Sequence, residues 1–367
     1  MRPDQKGNES VNSTNTPLIG QKRKYVRLKL TALVLTLLGI GLFGYFIYAV
    51  GFNEIVDGIG RFGVAGFAVI LALYFGRIFV RSYAWKLSVH EPDELRMKDA
   101  VPAVIIGEAL SSTIPLGILI SGTSKAIAVR HRLPMVSGLS SVATENLFYS
   151  LVTSLFLIVG AIILLRGFTV DPGIVWAINL LIAAVLALVV LGIVMVVRQW
   201  HFASAICNWL YSNGFLTRLL ENGRYAVRRF EDLIYGFYRR YPRRFLPICL
   251  LEAAFHFFAL AEVWFILTRL TGEFPSLMIT FLLESVSRLV TVLFKLVPFV
   301  IGVDEAGAQF VGNAVGLAAG IGVTLAVIRK GRILFWTAIG VALIIKRGLS
   351  FSEFSKSDWQ DTPECKG

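Results

Sequence analysis

Charged and helix-breaking residues interrupt two apolar runs of this sequence. The first run, residues 107–130, contains Glu108, Pro115, Gly122, Lys125 and Arg130. A charge at the centre of a membrane helix costs about 2.5–3.5 kcal/mol on insertion scales, so it needs a partner or a functional role. The two basic residues are candidate contacts for a phosphate group, which lysine and arginine bind through charge-assisted hydrogen bonds. Glu108 is a candidate for a gating ion pair or for a contact with a cationic headgroup.

The second interrupted run covers residues 281–310. It contains Glu284, Arg288, Lys295, Pro298, Gly302, Asp304 and Glu305. Glu284 and Arg288 stand one helical turn apart and can form an ion pair within one helix, which is either purely structural or part of a site. Arg288 and Lys295 lie on one helix face, and a single glutamate cannot neutralise both. This excess of positive charge predicts further phosphate contacts.

Two long apolar segments each carry charge near the centre, Glu145 in one and Arg329 in the other. We expect Glu145 to pair with Arg329 or Lys330 across the two halves of the chain, or else to line a substrate path. Asp304 and Glu305 are, like Glu145, candidates for gating pairs or for contacts with a cationic headgroup.

Glu252 and His256 also stand one turn apart in an apolar run. Their spacing fits neither the HExxH zinc motif nor a di-iron Glu-x-x-His pair, so we expect a hydrogen-bonded polar pair between helices. The three cysteines are widely separated and form no Cys-x-x-Cys pattern. The sequence therefore predicts no metal site, no cofactor and no catalytic residue.

The composition is that of a membrane protein. Of 367 residues, 56% are hydrophobic and only 16% are charged, and the mean hydropathy is +0.69, whereas soluble domains carry about 25% charged residues. The runs 32–50 and 174–197 are long enough to cross a hydrocarbon core of about 30 Å as helices. A second span is predicted over about 63–82. Its cytoplasmic exit is expected to be marked by Arg77, Arg81 and Lys86. The fold class predicted is an all-α polytopic membrane protein.

Positive charge lies beside the apolar spans. The net charge of +12 comes partly from "QKRKYVRLK" (21–29) and from nine arginines in 198–244, and basic residues next to spans mark the cytoplasmic side. The N-terminus and segment 198–244 are therefore predicted to be cytoplasmic. That segment mixes arginines with aromatics and leucines, which favours an amphipathic helix on anionic headgroups over a basic cytosolic linker. No nucleic-acid-binding module is present, so no nucleic-acid partner is expected.

The chain divides into two similar halves. We expect a disordered tail over 1–28, a transmembrane domain over 29–347 and a polar tail over 348–367. The halves, about 63–197 and 245–347, each place a Pro/Gly-rich broken segment before a long helix, a pattern typical of repeat-built transporters. If the broken segments are re-entrant helical hairpins, the halves are inverted repeats whose hairpins meet near the midplane; full spans over 281–296 and 311–328 are the alternative.

Three motifs resemble a known family. "SYAWKL" after the second predicted span, "PLGILISGTSKAIAVR" (115–130) and "PFVIGVDEAGAQFVGNAVG" (298–316) resemble the flippase-like transmembrane domain of lysylphosphatidylglycerol synthases. Gly122 and Lys125 match the glycine and basic positions of that family's first-half pattern, and Gly302 and Glu305 match its second-half pattern. The resemblance covers about 25–347 and implies that broken helices from two inverted repeats shape a headgroup cavity.

The resemblance also departs from the family at two positions and at the end of the chain. Thr123 stands where the first-half pattern has an acid, and Asp304 replaces a common basic residue. The soluble aminoacyltransferase domain of the synthases has no counterpart after the last span. We therefore expect that the chain does not synthesise lysyl-lipid itself.

The expected function is that of a flippase-like transporter in the bacterial inner membrane. Its expected partners are membrane lipids, namely an anionic phospholipid, an aminoacyl-lipid, a hopanoid or a polyprenyl-linked lipid. A lipid-biosynthesis enzyme and a second copy of the chain, as a homodimer, are further candidate partners. The alternatives are an integral membrane transferase that modifies a lipid and an accessory subunit of such an enzyme.

Overall fold

The fold is entirely helical over the part of the chain that the structure describes. That part of the computed structural model comprises residue 48 and residues 52–113, 117–167, 172–213, 217–294, 300–318 and 320–347. It contains eleven α-helices and no strand. The helices are α1 (Phe52–Ser88), α2 (Met97–Thr113), α3 (Gly117–Ala128), α4 (Met135–Gly167), α5 (Pro172–Arg198), α6 (Phe202–Ser212), α7 (Thr217–Arg240), α8 (Phe245–Thr271), α9 (Leu277–Leu293), α10 (Val303–Ala314) and α11 (Ile321–Lys346).

Four of the described helical segments are long and apolar enough to cross a membrane. They are Ile59–Ser88, Met135–Gly167, Ile178–Arg198 and Pro242–Thr271. None of the side chains of the third is buried inside the protein, as is expected of a helix surrounded by lipid. The predicted all-α membrane protein is confirmed, whereas the first predicted span and both predicted tails lie outside the described residues.

The two interrupted runs form pairs of short helices. Helices α2 and α9 each have 17 residues, and α3 and α10 each have 12. At 1.5 Å per residue these helices measure about 25 and about 18 Å, which is less than the hydrocarbon thickness. The alternative of a continuous span over 311–328 was wrong, because a helix break separates Ala314 from Ile321. The alternative span over 281–296 stays a prediction, because α9 covers it as far as Leu293 and residues 295–299 lie outside the described residues.

The same order of helices recurs in the two halves. A long helix, a 17-residue helix, a 12-residue helix and another long helix follow one another in α1–α4 and again in α8–α11. The halves pack together through α1 against α8 and through α2 against α11. The recurrence agrees with the predicted repeat, while the inverted orientation of the halves stays a prediction.

Helix α1 extends farther than the sequence indicated. It has a break at Gly63, where φ is 69°, and then continues to Ser88. Arg77 and Arg81 were predicted to mark a cytoplasmic exit, but their side chains are only 5% and 14% exposed and form ion pairs inside the protein. That prediction was wrong because a buried arginine with a carboxylate partner looks, in sequence, like one at a membrane surface.

The basic segment between the halves forms two helices instead of one. The carboxylate of Glu231 in α7 accepts hydrogen bonds from the backbone N–H groups of Ala203 (2.8 Å) and Ser204 (3.3 Å) at the start of α6. A carboxylate at this end stabilises the unpaired N–H groups and the helix dipole. The two helices are thereby joined into one amphipathic unit, with Phe202 and Trp209 exposed.

Candidate substrate cavity between the broken helices

A polar cavity of about 160 Å³ lies where the two broken segments approach each other. Helix α2 contributes the end that precedes its break, and α10 contributes its first turn. The cavity is lined by Tyr74, Arg77, Ser111, Ser112, Ser287, Arg288, Thr291, Val300, Asp304, Arg329, Arg332 and Ile333. It therefore combines four guanidinium groups with several hydroxyl groups.

Glu284 holds two of the cavity arginines. Its Oε1 accepts a hydrogen bond from Arg288 Nη2, and its Oε2 accepts one from Arg329 Nη2, both at 2.7 Å. The predicted pair between Glu284 and Arg288 is confirmed. Because all three side chains are buried, these charge-assisted bonds fix the guanidinium planes at the cavity wall.

Glu262 of α8 holds the other two. Its carboxylate lies 3.5 Å from Arg77 Nη1 and forms a short hydrogen bond with Arg332 Nη1, and Arg329 Nε lies 3.7 Å away. Glu262 and its three arginine partners are all buried. The carboxylate thus ties α1 and α11, from the two halves, to α8.

Hydroxyl groups and aromatic rings complete the cavity wall. Ser287 Oγ donates to Asp304 Oδ1 at 2.7 Å and accepts from Arg329 Nη1 at 3.1 Å. The guanidinium of Arg332 lies 4.2 Å from the centre of the Tyr74 ring, a distance at which cation–π attraction holds a guanidinium in place.

The cavity carries more positive than negative groups. Its four arginines face the carboxylates of Glu262, Glu284 and Asp304. Within the described part of the chain, the Nε atoms of Arg77, Arg288 and Arg332 have no hydrogen-bond acceptor. Unsatisfied buried donors of this kind need an explanation. A cavity lined by four guanidinium groups and several hydroxyl groups suits an anion with several oxygen atoms, such as a phosphate.

A second charge cluster surrounds Glu145 in α4. Arg81 Nε donates to Glu145 Oε1 at 2.9 Å, and Lys125 Nζ lies 3.9 Å from Oε2. The prediction that Glu145 pairs with Arg329 or Lys330 was wrong: Arg329 belongs to the cavity, and Lys330 pairs with Glu305 at 2.6 Å. Sequence separation alone could not decide between these partners.

The remaining predicted site residues occupy several places. Arg288, Asp304 and Arg329 line the cavity. Glu108, Lys125 and Glu145 lie outside its lining, with Glu108 Oε2 accepting a hydrogen bond from Tyr74 Oη at 2.7 Å. Pro115, Lys295 and Pro298 lie outside the described residues.

The other four predicted site residues lie outside the cavity lining. Glu305 is fully buried and its Oε2 accepts a hydrogen bond from the Gly302 N–H at 2.8 Å, so it holds the first turn of α10. Gly302 has a φ of 82°, which glycine adopts without strain. Gly122 lies against Val142 of α4, and Arg130 is exposed in the turn after α3.

Sequence reasoning assigned no cavity role to Arg77, Arg332 or Glu262, nor to the hydroxyl groups of the cavity. Arg77 had been placed at a membrane surface, and Arg332 had been given no role. The signal for these arginines was their spacing. Arg77 lies one turn before Arg81 in α1, and Arg332 lies one turn after Arg329 in α11, so each apolar helix carries two basic groups on one face. The hydroxyl groups had no signal, since serine is common in membrane helices that pack closely.

A shallower basic concavity of about 590 Å³ lies at the surface beside α7. Its lining includes His90, Asp232, Arg229, Arg239 and Arg240. Partial burial, followed by the charges of Arg240 and Arg244, lowers the pKa of His90. The positive charge of this surface at neutral pH therefore comes from its arginines.

The sequence of the chain matches a known protein family. The family model described as the lysylphosphatidylglycerol synthase TM region matches residues 30–340, a range that includes every residue lining the cavity. No curated protein and no solved structure matches the chain.

Proposed function

We propose a lipid-transport function from the premise that the chain belongs to the family of lysylphosphatidylglycerol synthase transmembrane regions, as its motifs indicated. This family relates the chain to membrane lipids. The proposed activity is the movement of a phospholipid or related polar lipid between the leaflets of the bacterial inner membrane. In this proposal the N-terminus and segment 198–244 face the cytoplasm.

The cationic cavity is the observation that supports this proposal. A lipid that changes leaflet must carry its polar headgroup through about 30 Å of hydrocarbon. Four arginines and several hydroxyl groups, beside the end of α2 and the first turn of α10, offer replacement for the water that a headgroup phosphate loses. The acyl or isoprenoid chains stay in the bilayer throughout.

The proposed substrates share a phosphate group. An anionic phospholipid and a polyprenyl-linked lipid carry phosphate directly, and an aminoacyl-phospholipid carries it beside a cationic group. Asp304, which lines the cavity and accepts a hydrogen bond from Ser287, is placed to meet such a cationic group. A hopanoid would use the cavity only through a phosphate-bearing or otherwise anionic headgroup.

The proposed transport cycle exchanges ion-pair partners. Every cavity arginine binds Glu262 or Glu284, so a phosphate gains contacts by drawing a guanidinium partly away from its carboxylate. Helices α1, α8, α9 and α11 supply these groups, and α2 and α10 line the same cavity. A re-pairing in the cavity would therefore move the broken segments relative to one another. Opening to the two leaflets in turn is the expectation for inverted repeats.

The experiment is translocation of labelled phospholipids by purified protein in liposomes, reported by a membrane-impermeant quencher. We expect wild-type protein to accelerate transfer of at least one phosphate-bearing lipid. Arg288→Gln should slow it roughly ten- to a hundredfold, which corresponds to the loss of one charge-assisted hydrogen bond of about 1.5–3 kcal/mol. Arg269→Gln, an exposed arginine outside the cavity, is the matched control.

Two results would count against the proposal. Equal slowing by Arg288→Gln and Arg269→Gln would show that transport does not depend on the cavity. If wild-type protein accelerates no lipid and co-purifies with a lipid-biosynthesis enzyme in a fixed ratio, the chain is an accessory subunit. Unfolding temperatures of all variants show whether a loss of transport reflects a loss of folded protein.

A further inference from the structure

Glu252 in α8 is a buried carboxyl group for which the cavity gives no explanation. It is fully buried, and within the described part of the chain neither carboxylate oxygen has a hydrogen-bond donor. The interhelical hydrogen bond expected for this pair is made by His256 alone, whose Nε2 lies 3.0 Å from Thr153 Oγ1. An ionised carboxylate without a donor in such a place is strongly disfavoured.

The charge cluster around Glu252 contains one more carboxyl group than it has cations. Two cations and three carboxyl groups interact in this cluster, which combines Arg81 of α1, Glu108 of α2, Lys125 of α3, Glu145 of α4 and Glu252 itself. On its own helix, Glu252 also interacts with Cys249 and lies one turn from His256. The arginines of α9 and α11 pair instead with Glu284 and with Glu262, the latter about 15 Å farther along α8.

The neighbouring carboxylate lacks a donor at one oxygen. Glu145 Oε1 accepts from Arg81, but Oε2 has no hydrogen-bond partner among the described residues, and Lys125 Nζ is 3.9 Å away. A proton on Glu252 supplies that donor, because the two carboxyl groups are within hydrogen-bonding reach of each other. One proton would satisfy Glu145, remove the buried charge of Glu252 and balance the cluster.

We propose that Glu252 and Glu145 form a proton-binding site and that proton uptake and release there is coupled to lipid movement. The coupling rests on the transport function proposed above, whereas the proton site rests on the burial of Glu252 and Glu145 and on the carboxyl oxygens that lack a donor. When Glu252 loses its proton, its carboxylate competes with Glu145 for Arg81 and Lys125. The pairing of Arg81 and Lys125 then changes with protonation.

Arg81 connects the proton site to the cavity. The ring of Phe255 lies 4.4 Å from the guanidinium of Arg77, 5.3 Å from that of Arg288 and 5.6 Å from that of Arg81. Arg77 and Arg81 are also one turn apart on α1. A shift of Arg81 therefore reaches two cavity arginines through one shared ring, which is the physical link that the proposal requires.

The first test detects the proton directly in full-length protein by infrared spectroscopy at neutral pH. We expect a carbonyl-stretch band of a protonated carboxyl group that shifts in heavy water and is lost in Glu252→Gln. Glu273→Gln, an exposed glutamate beyond the end of α8, should keep the band. Absence of the band, or its persistence in Glu252→Gln, overturns the proton site whether or not the protein transports lipid.

The second test measures lipid translocation in liposomes with and without a pH gradient. We expect the gradient to change the wild-type rate severalfold and to leave the rate of Glu252→Gln unchanged, because glutamine mimics the protonated state. A wild-type rate that ignores the gradient overturns the coupling and leaves the transport function standing. If no lipid moves at all, the transport function fails, and the infrared band alone decides the proton site. Unfolding temperatures confirm that Glu252→Gln folds.

Discussion

At the residue scale, Glu284 is the acceptor that two cavity arginines share. Glu284→Gln should lower the free energy of unfolding by about 3–5 kcal/mol, since it leaves buried guanidinium charge without its carboxylate. Arg288→Gln should cost less, about 1.5–3 kcal/mol, because Glu284 keeps its 2.7 Å bond to Arg329. Thermal unfolding in one detergent measures both variants. An equal or reversed order would show that the carboxylate is not the centre of this network.

The same residues show what spacing can and cannot predict. The pair between Glu284 and Arg288 followed from their separation by one turn, which is a local property of a helix. The bond from Arg329 to Glu284 joins positions 45 residues apart and depends on how α9 and α11 pack. Charge pairs of this kind need the tertiary structure, which is why Glu145 was assigned the wrong partners.

At the element scale, helices α10 and α11 pack so closely that position 322 has no room for a side chain. A Cβ at Gly322 would lie 2.5 Å from the carbonyl oxygen of Ala308, and backbone cannot move away easily. Gly322→Ala should therefore destabilise the protein by about 1–3 kcal/mol. In Gly192→Ala, where the Cβ meets nothing within 4 Å, the helix should gain up to about 1 kcal/mol. Unfolding temperatures of the two variants test this; similar values would refute the close approach.

Helices α6 and α7 carry the prediction of contact with the membrane surface. Trp209 of α6 is 63% exposed, whereas Trp85 of α1 is fully buried. Brominated lipids should quench the fluorescence of a variant that keeps only Trp209, and should leave a variant that keeps only Trp85 nearly unchanged, because tryptophan favours the headgroup region. Equal quenching of both, or none for Trp209, would place α6 away from lipid.

Element boundaries were more predictable than element roles. Apolar periodicity and Pro/Gly breaks predicted the short helices α2, α3, α9 and α10, since both signals are local. The continuation of α1 through Arg77 and Arg81 was not predictable in the same way. Arg77 and Arg81 are buried because each has a carboxylate partner on another helix. The sequence around an arginine does not show whether such a partner exists.

At the scale of the whole molecule, charged residues from both halves of the chain are paired around one cavity. The cavity arginines come from both halves, from α1 and α9 and twice from α11, and their carboxylate partners come from α8 and α9. The sequence predicted that broken segments of two halves would meet, and the cavity lies between them. It did not predict that α1 and α8 would supply much of the charge, because the partners of their charged residues lie on other helices.

The most direct test of the account is photocrosslinking with a phospholipid that carries a photoreactive group in its headgroup. We expect the label on peptides that contain Arg288 and Thr291, with unlabelled phosphate-bearing lipid competing for it and a phosphate-free glycolipid not competing. Arg288→Gln should reduce this labelling and Arg269→Gln should not. Labelling confined to the lipid-exposed face of α5, with no competition by phosphate-bearing lipid, would contradict headgroup binding in the cavity.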